Sequence, residues 1–251
     1  MLRRVGTGAV SSALMSLMSA GAVLALTLVD PAQASAQVAQ SVQIGAGVFF
    51  PRGFDTRING DTIVADLTDQ NPLFFLVSDF RGATVQGEWN VSFGHHVEAG
   101  VGIGYYQRSI FSSYRDLVNP DGSEIAQELR LRIAPLTGVV RFLPIGKQGQ
   151  IQPYVGVGIA ALFYRYSEGG QFVDPTDLSV FTARYTTAGT AFGPVVMGGV
   201  RFPIKGDIYG FQTEYRYQFA SADTGGLANG FLGPKIDLSG GSLNFNFLIR
   251  F

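Results

Sequence analysis

The segment IYGFQTEYRYQF, residues 208–219, alternates without a break. Tyr209, Phe211, Thr213, Tyr215, Tyr217 and Phe219 fall on one face, and Gln212, Glu214, Arg216 and Gln218 on the other. A period of two belongs to a strand, whose successive side chains leave the sheet on opposite sides. The same alternation recurs in SVQIGAGVFF (41–50), ATVQGEWNV (83–91), HVEAGVGIGYY (96–106), IQPYVGVGIAALFY (151–164) and SLNFNFLIRF (242–251). Two further segments, 127–142 and 186–202, are less regular, and Pro135 and Pro194 are expected to mark bulges or shift the register there. Eight strands result. Beyond Gln37 no uncharged apolar run approaches the roughly 20 residues of a membrane helix, and no sustained helical period appears.

The connections alternate too. Long polar gaps follow the odd strands, at 52–79, 111–125, 167–185 and 221–238, while FGH, PIGKQG and PIKGD make tight turns after the even ones. Long loops at one end and short turns at the other are the pattern of a transmembrane β-barrel, with the turns in the periplasm. A soluble up-and-down barrel has the inverse chemistry, polar outside with an apolar cavity. Charge decides between them: Glu88, Glu98 and Glu214 all lie opposite the apolar stripe, so that stripe meets lipid. Charged residues make up only 15% of the chain, against roughly 25% in soluble proteins. The expected fold is all-β, an eight-stranded antiparallel up-and-down transmembrane β-barrel.

The amino terminus supplies the route to a membrane. After the basic start MLRR, no charge follows until Asp30, and Ala34-Ser35-Ala36 offers a small-residue cleavage site. Residues 1–36 therefore read as a cleaved signal peptide and 37–251 as the barrel. A retained membrane anchor is the competing reading, which the cleavage region opposes. The chain has no cysteine, so disulfides and thiolate metal sites are excluded, and a net charge of −1 gives no reason to expect nucleic acid.

A short repeat marks the periplasmic edge. VVRFLP (139–144), GVRFP (199–203) and LIRF (248–251) share an apolar-Arg-Phe pattern at the ends of the fourth, sixth and eighth strands. Phe142, Phe202 and Phe251 then point outward as an aromatic girdle, with Phe245 and Phe247 on the same stripe, while Arg141, Arg201 and Arg250 turn inward. In these features the chain resembles the small outer-membrane β-barrel family of Gram-negative bacteria, of the OmpA-barrel, OmpX and OmpW kind. PYVGVGIAALFYRY also looks like the Gly-rich fifth strand common in those barrels. The resemblance implies a porin-like protein of the cell envelope. It also implies that LNFNFLIRF, with its final aromatic, is recognised by the barrel-assembly machinery.

An eight-stranded barrel is just wide enough inside for side chains to fill it. The inward set comprises Glu88, Glu98, Arg141, Arg201, Glu214, Arg216 and Arg250, with Gln86, Gln212, Asn244 and Asn246. Opposite charges in so narrow a space are expected to pair as a plug. The alternative is a narrow channel for small or apolar solutes. Gly45, Gly47, Gly100, Gly102, Gly104, Gly156 and Gly158 either leave open space or admit long side chains. No enzymatic site is expected: the only histidines, His95 and His96, sit in a periplasmic turn with just Ser92 and Glu98 nearby. No cofactor or metal is expected either.

The loops carry any specificity. RINGDTIV reads as a small hairpin about Asn59-Gly60, and NPLFFL as a lid over the mouth or a contact for lipid or protein. Asp116, Asp121, Glu124, Glu168, Asp174, Asp177, Asp223 and Asp237 suggest an acidic crown. The expected protein is a monomer in outer-membrane lipid, structural or adhesive through loops that meet an extracellular ligand.

Overall fold

The computed structural model describes residues 39–147, 149–204 and 208–251. The expected signal peptide lies outside the described residues, as do Lys205, Gly206 and Asp207 of the PIKGD turn. The barrel strands are β1 (Gln40–Pro51), β2 (Gly82–Phe93), β3 (Val97–Val118), β4 (Glu124–Phe142), β5 (Gln152–Val173), β6 (Val180–Ile204), β7 (Tyr209–Gln218) and β10 (Gly240–Arg250). A two-stranded ribbon of β8 (Ser221–Asp223) and β9 (Lys235–Asp237) sits in the connection between β7 and β10.

All eight barrel strands pair antiparallel with their neighbours, and β10 closes the ring on β1. The seam runs from Ser41 opposite Arg250 to Pro51 opposite Gly240, and backbone bonds between Gln40 and Phe251 extend it. Closure removes the free edges that a membrane would not tolerate. Alternation then sorts the side chains. Ile159 (73% exposed), Phe192 (78%) and Phe245 (61%) face outward, while Arg141, Arg201 and Glu214 are fully buried inside. This barrel is inside out relative to a soluble one.

Several expectations are corrected. Both prolines leave the register intact: Ile103 faces Leu136 and Tyr106 faces Ile133 on either side of Pro135, while Pro194 itself pairs with Ile159. The pyrrolidine ring removes one donor without adding a residue, so pairing weakens but does not slip. The irregularity in this ladder falls instead between Ser113 and Val118. Two of the expected long loops are mostly strand. β3 and β4 continue to within residues 119–123, and β5 and β6 to within 174–179. Crossing the hydrocarbon takes about 9–11 residues, so the 22 residues of β5 carry it well beyond the membrane.

The expected hairpin in RINGDTIV is likewise replaced. Asn59-Gly60 does turn, with Gly60 at φ +77°, but Thr62–Thr68 then forms helix α1. Its buried positions Thr62, Ile63 and Asp66 follow helical spacing and face the barrel mouth.

Candidate functional site

The lumen is filled in layers. At the short-turn rim Arg250 donates to Gln152 at 2.7 Å, Gln152 donates to the Lys147 carbonyl, and Lys147 pairs with Glu98 at 3.1 Å. Above this, Arg201 grips Glu98 through two parallel bonds of 3.0 Å each, and its Nε donates to Gln212 at 3.1 Å. Ser92 also donates to Glu98, at 3.2 Å. A bidentate guanidinium–carboxylate pair is the strongest geometry such a contact offers.

The next layer joins five strands. Glu214 on β7 accepts from Arg216 Nε at 3.0 Å, Arg141 Nη2 at 3.1 Å and the Tyr154 hydroxyl at 2.8 Å. Glu88 on β2 accepts from Arg216 at 2.9 Å and from Gln43 at 2.9 Å, and it pairs with Arg141 as well. Arg141 in turn donates to Asn90 at 2.6 Å. The guanidinium carbons of Arg141 and Arg201 lie 5.4 and 5.7 Å from the Tyr154 ring centre. Three carboxylates thus meet three guanidiniums, which removes the penalty of unpaired buried charge.

The ion-pair partners of Glu214 do not come from the strands on either side of β7. They are Arg216 on its own strand and Arg141 on β4, which reaches across the lumen. Glu98 on β3 and Arg201 on β6 also meet across the lumen. The inward glycines make this possible. A Cβ on Gly100 would strike the side chains of Asn90 and Glu88, and one on Gly156 would crowd Arg141. Their space is occupied. Tyr154, Asn90 and Gln43 share the inward parity of the charged set, and that parity was the signal that could have added them.

A cavity of about 40 Å³ adjoins the ionic layer on the loop side, lined by Arg216, Thr137, Gln218, Ser242, Phe49 and Tyr106. Beyond it the lumen turns apolar. Leu129, Leu131, Ile133, Leu162 and Val195 line the wall, and Phe75, Val77 and Phe80 from the first loop enter between them with Phe231 and Ile236 from the last. The Tyr106 hydroxyl donates to the Phe80 carbonyl, and the Phe49 and Tyr106 rings lie 4.8 Å apart. NPLFFL therefore divides by parity: Leu73 and Phe75 are seated, whereas Phe74 (69% exposed) and Leu76 (66%) face out. The segment is held by β3, Phe74 N–H donating to the Ser113 carbonyl at 2.8 Å.

The two lid loops are tied together by charge. Arg57 pairs with Asp61 and donates to the Asp237 carbonyl at 2.8 Å, while Asp61 accepts from the Asp237 N–H at 2.7 Å. Asp66 and Glu168 meet nearby, both buried and within hydrogen-bonding reach of each other, with the Tyr166 hydroxyl beside them. Burial first, and then the charge of Glu168, pushes the Asp66 carboxyl well above its usual range. Burial also raises Glu168 from its usual 4.5 to about 7. Two buried carboxyls this close favour the protonated form of the pair. The acidic crown is thus overturned in part. Glu168 and Asp237 point inward as lid fastenings rather than outward as a charged surface.

The outer wall places Phe142 (50% exposed), Phe202 (42%) and Phe251 (70%) at the turn end, each facing out. Phe247 and Phe245 stand higher on β10, where Phe247 stacks on Tyr209 with ring centres 5.9 Å apart. His96 sits beside Phe142, with ring centres 6.3 Å apart.

No family model matches the chain, and no curated protein matches it. Solved structures similar to it include Neisserial surface protein A, at 11% identity and a TM-score of 0.43, covering 85% of this chain and 97% of that one. A major outer membrane protein from Thermus thermophilus gives 13% identity and a TM-score of 0.45, covering 85% and 99%. Ail, the attachment invasion locus protein of Yersinia pestis, gives 12% and 0.40, covering 85% and 99%. With its closed ring of eight antiparallel strands, apolar outer wall and ionic interior, this chain has the fold of a small eight-stranded β-barrel, the architecture those structures share.

Proposed function

We propose that this protein is a closed, non-conducting barrel that works as a structural and adhesive element through the surface its loops build outside the cell. One observation carries the reading: the ionic layer fills the lumen, and an apolar plug drawn from two loops fills the space above it. The cavity of about 40 Å³ beside the ionic layer has room for no more than a few water molecules. Outside the plug, Phe74, Leu76 and Phe111 (81% exposed) stand on the same β3-supported ledge. An exposed apolar patch on a rigid support is a contact surface for a partner. The chain is assembled as a monomer by the barrel-assembly machinery, and its loops take up an extracellular ligand.

Planar-bilayer recording of the refolded protein tests this. A silent bilayer is expected. Reproducible unitary steps that change with Glu214→Gln or Arg216→Gln overturn the plug. A second reading, a narrow channel for small or apolar solutes, is favoured by the apolar wall of the upper lumen, which withdrawal of Phe75 and Phe80 would expose. The ionic layer beneath closes that route to the periplasm, so it ranks second.

A further inference from the structure

The outer wall carries a basic cluster that the strand register alone assembles. Arg132 on β4 stands directly opposite Arg165 on β5. Both positions have the outward parity of the lipid-facing stripe. Like charges directly opposite on one face destabilise a sheet, and among the described residues no carboxylate lies within 4.0 Å of either one. Arg130 and Arg184 lie further toward the loops on the same face, opposite Ser167 and Gly169 of β5. Arg130 donates to Ser109 at 2.8 Å and pairs with Glu128 at 2.8 Å, while the Arg184 guanidinium lies over the backbone of Gly169. Four arginines and one glutamate leave a local excess of positive charge.

Height gives the cluster its meaning. Below it on the outward face lie Ala134 on β4, Phe163 on β5 and Phe192 on β6, the top of the apolar wall. Arg132 is ten residues above Phe142 along β4, which at about 3.3 Å per residue and a tilt of about 40° is about 25 Å along the membrane normal. That equals the height of the apolar band. The guanidiniums therefore emerge at the level of the outer-leaflet headgroups. A single arginine there would merely snorkel. A cross-strand pair without a carboxylate needs an anion between its members, and guanidinium forks match phosphate oxygens.

We propose that Arg132 and Arg165, supported by Arg130 and Arg184, form a docking surface for the phosphorylated headgroup of an outer-leaflet lipid. The test uses the full protein refolded in phosphatidylcholine nanodiscs, with lipid A as a bisphosphorylated probe, its dephosphorylated form, and free pyrophosphate. Lipid A should be retained over the dephosphorylated form, and R132Q/R165Q should weaken retention by about tenfold or more, as the loss of two charge-assisted contacts implies. Because the pair repels itself, R165Q alone should resist urea better than the unaltered protein without lipid A, and that advantage should vanish when lipid A is present. Equal retention of both lipids, full displacement by equimolar pyrophosphate, or an unchanged double variant overturns the proposal.

Discussion

Glu214 shows how much one inward side chain decides. It is fully buried and accepts from two arginines and a tyrosine, so removing its charge leaves two guanidiniums to share the single carboxylate of Glu88. Breaking one partner of a buried pair typically costs about 3–5 kcal/mol. Glu214→Gln should lower the urea midpoint in lipid vesicles accordingly. Combined with Arg141→Met it should cost less than the two single changes together. Strict additivity would place Glu214 in water. Glu168 makes the matching case outside the membrane. Its native value of about 7 lies above its usual 4.5, so the folded lid binds more protons than the unfolded chain between those values. The resulting stabilisation is complete below about pH 4.5 and is lost as pH rises through about 7. Limited proteolysis of residues 52–81 should accelerate over that interval, and Glu168→Gln should flatten the response. A lid whose cleavage rate ignores pH would refute this coupling.

At the scale of elements, closure depends on how closely β1 and β10 approach. A Cβ at Gly45 would overlap the Asn246 side chain and the Phe245 carbonyl of the facing strand. Gly45→Leu should therefore hold the seam open, and the fraction of heat-modifiable folded barrel on an unboiled gel should fall sharply. A normal folded fraction would show that β1 can shift aside. Alternation fixed the strands' faces, and Glu88, Glu98, Arg141, Arg201, Glu214 and Arg216 were legible as lumenal because parity is a local property. Strand ends were not legible. Beyond the membrane the sense of the alternation inverts on β4, with Leu129 and Leu131 facing in and Glu128 and Arg130 facing out, so a lipid-facing pattern no longer marks the strand while the hydrogen-bond ladder continues. For that reason the pairing of Arg132 with Arg165 escaped the reading: Arg132 lay inside the expected fourth strand, but the fifth was taken to end at Tyr164.

The whole molecule has two unlike ends. Lys235 is exposed on the ribbon of the lid, while Lys147 lies at the opposite rim against Glu98. A membrane-impermeant amine reagent on intact cells should label Lys235 and reach Lys147 only after permeabilisation; the reverse order would invert the topology. By itself the sequence determined an inside-out barrel, because the side of each strand that carries charge is written in its alternation and a membrane admits only one arrangement of it. It also determined which arginines and glutamates share the lumen. Only the tertiary structure decided which of them meet. Glu214 with Arg141, and Glu98 with Arg201, are joined across a lumen whose width and strand stagger no single segment encodes. The same holds for the lid, where Phe80 and Phe231 come from loops far apart in the chain. Their burial depends on the ring having closed beneath them.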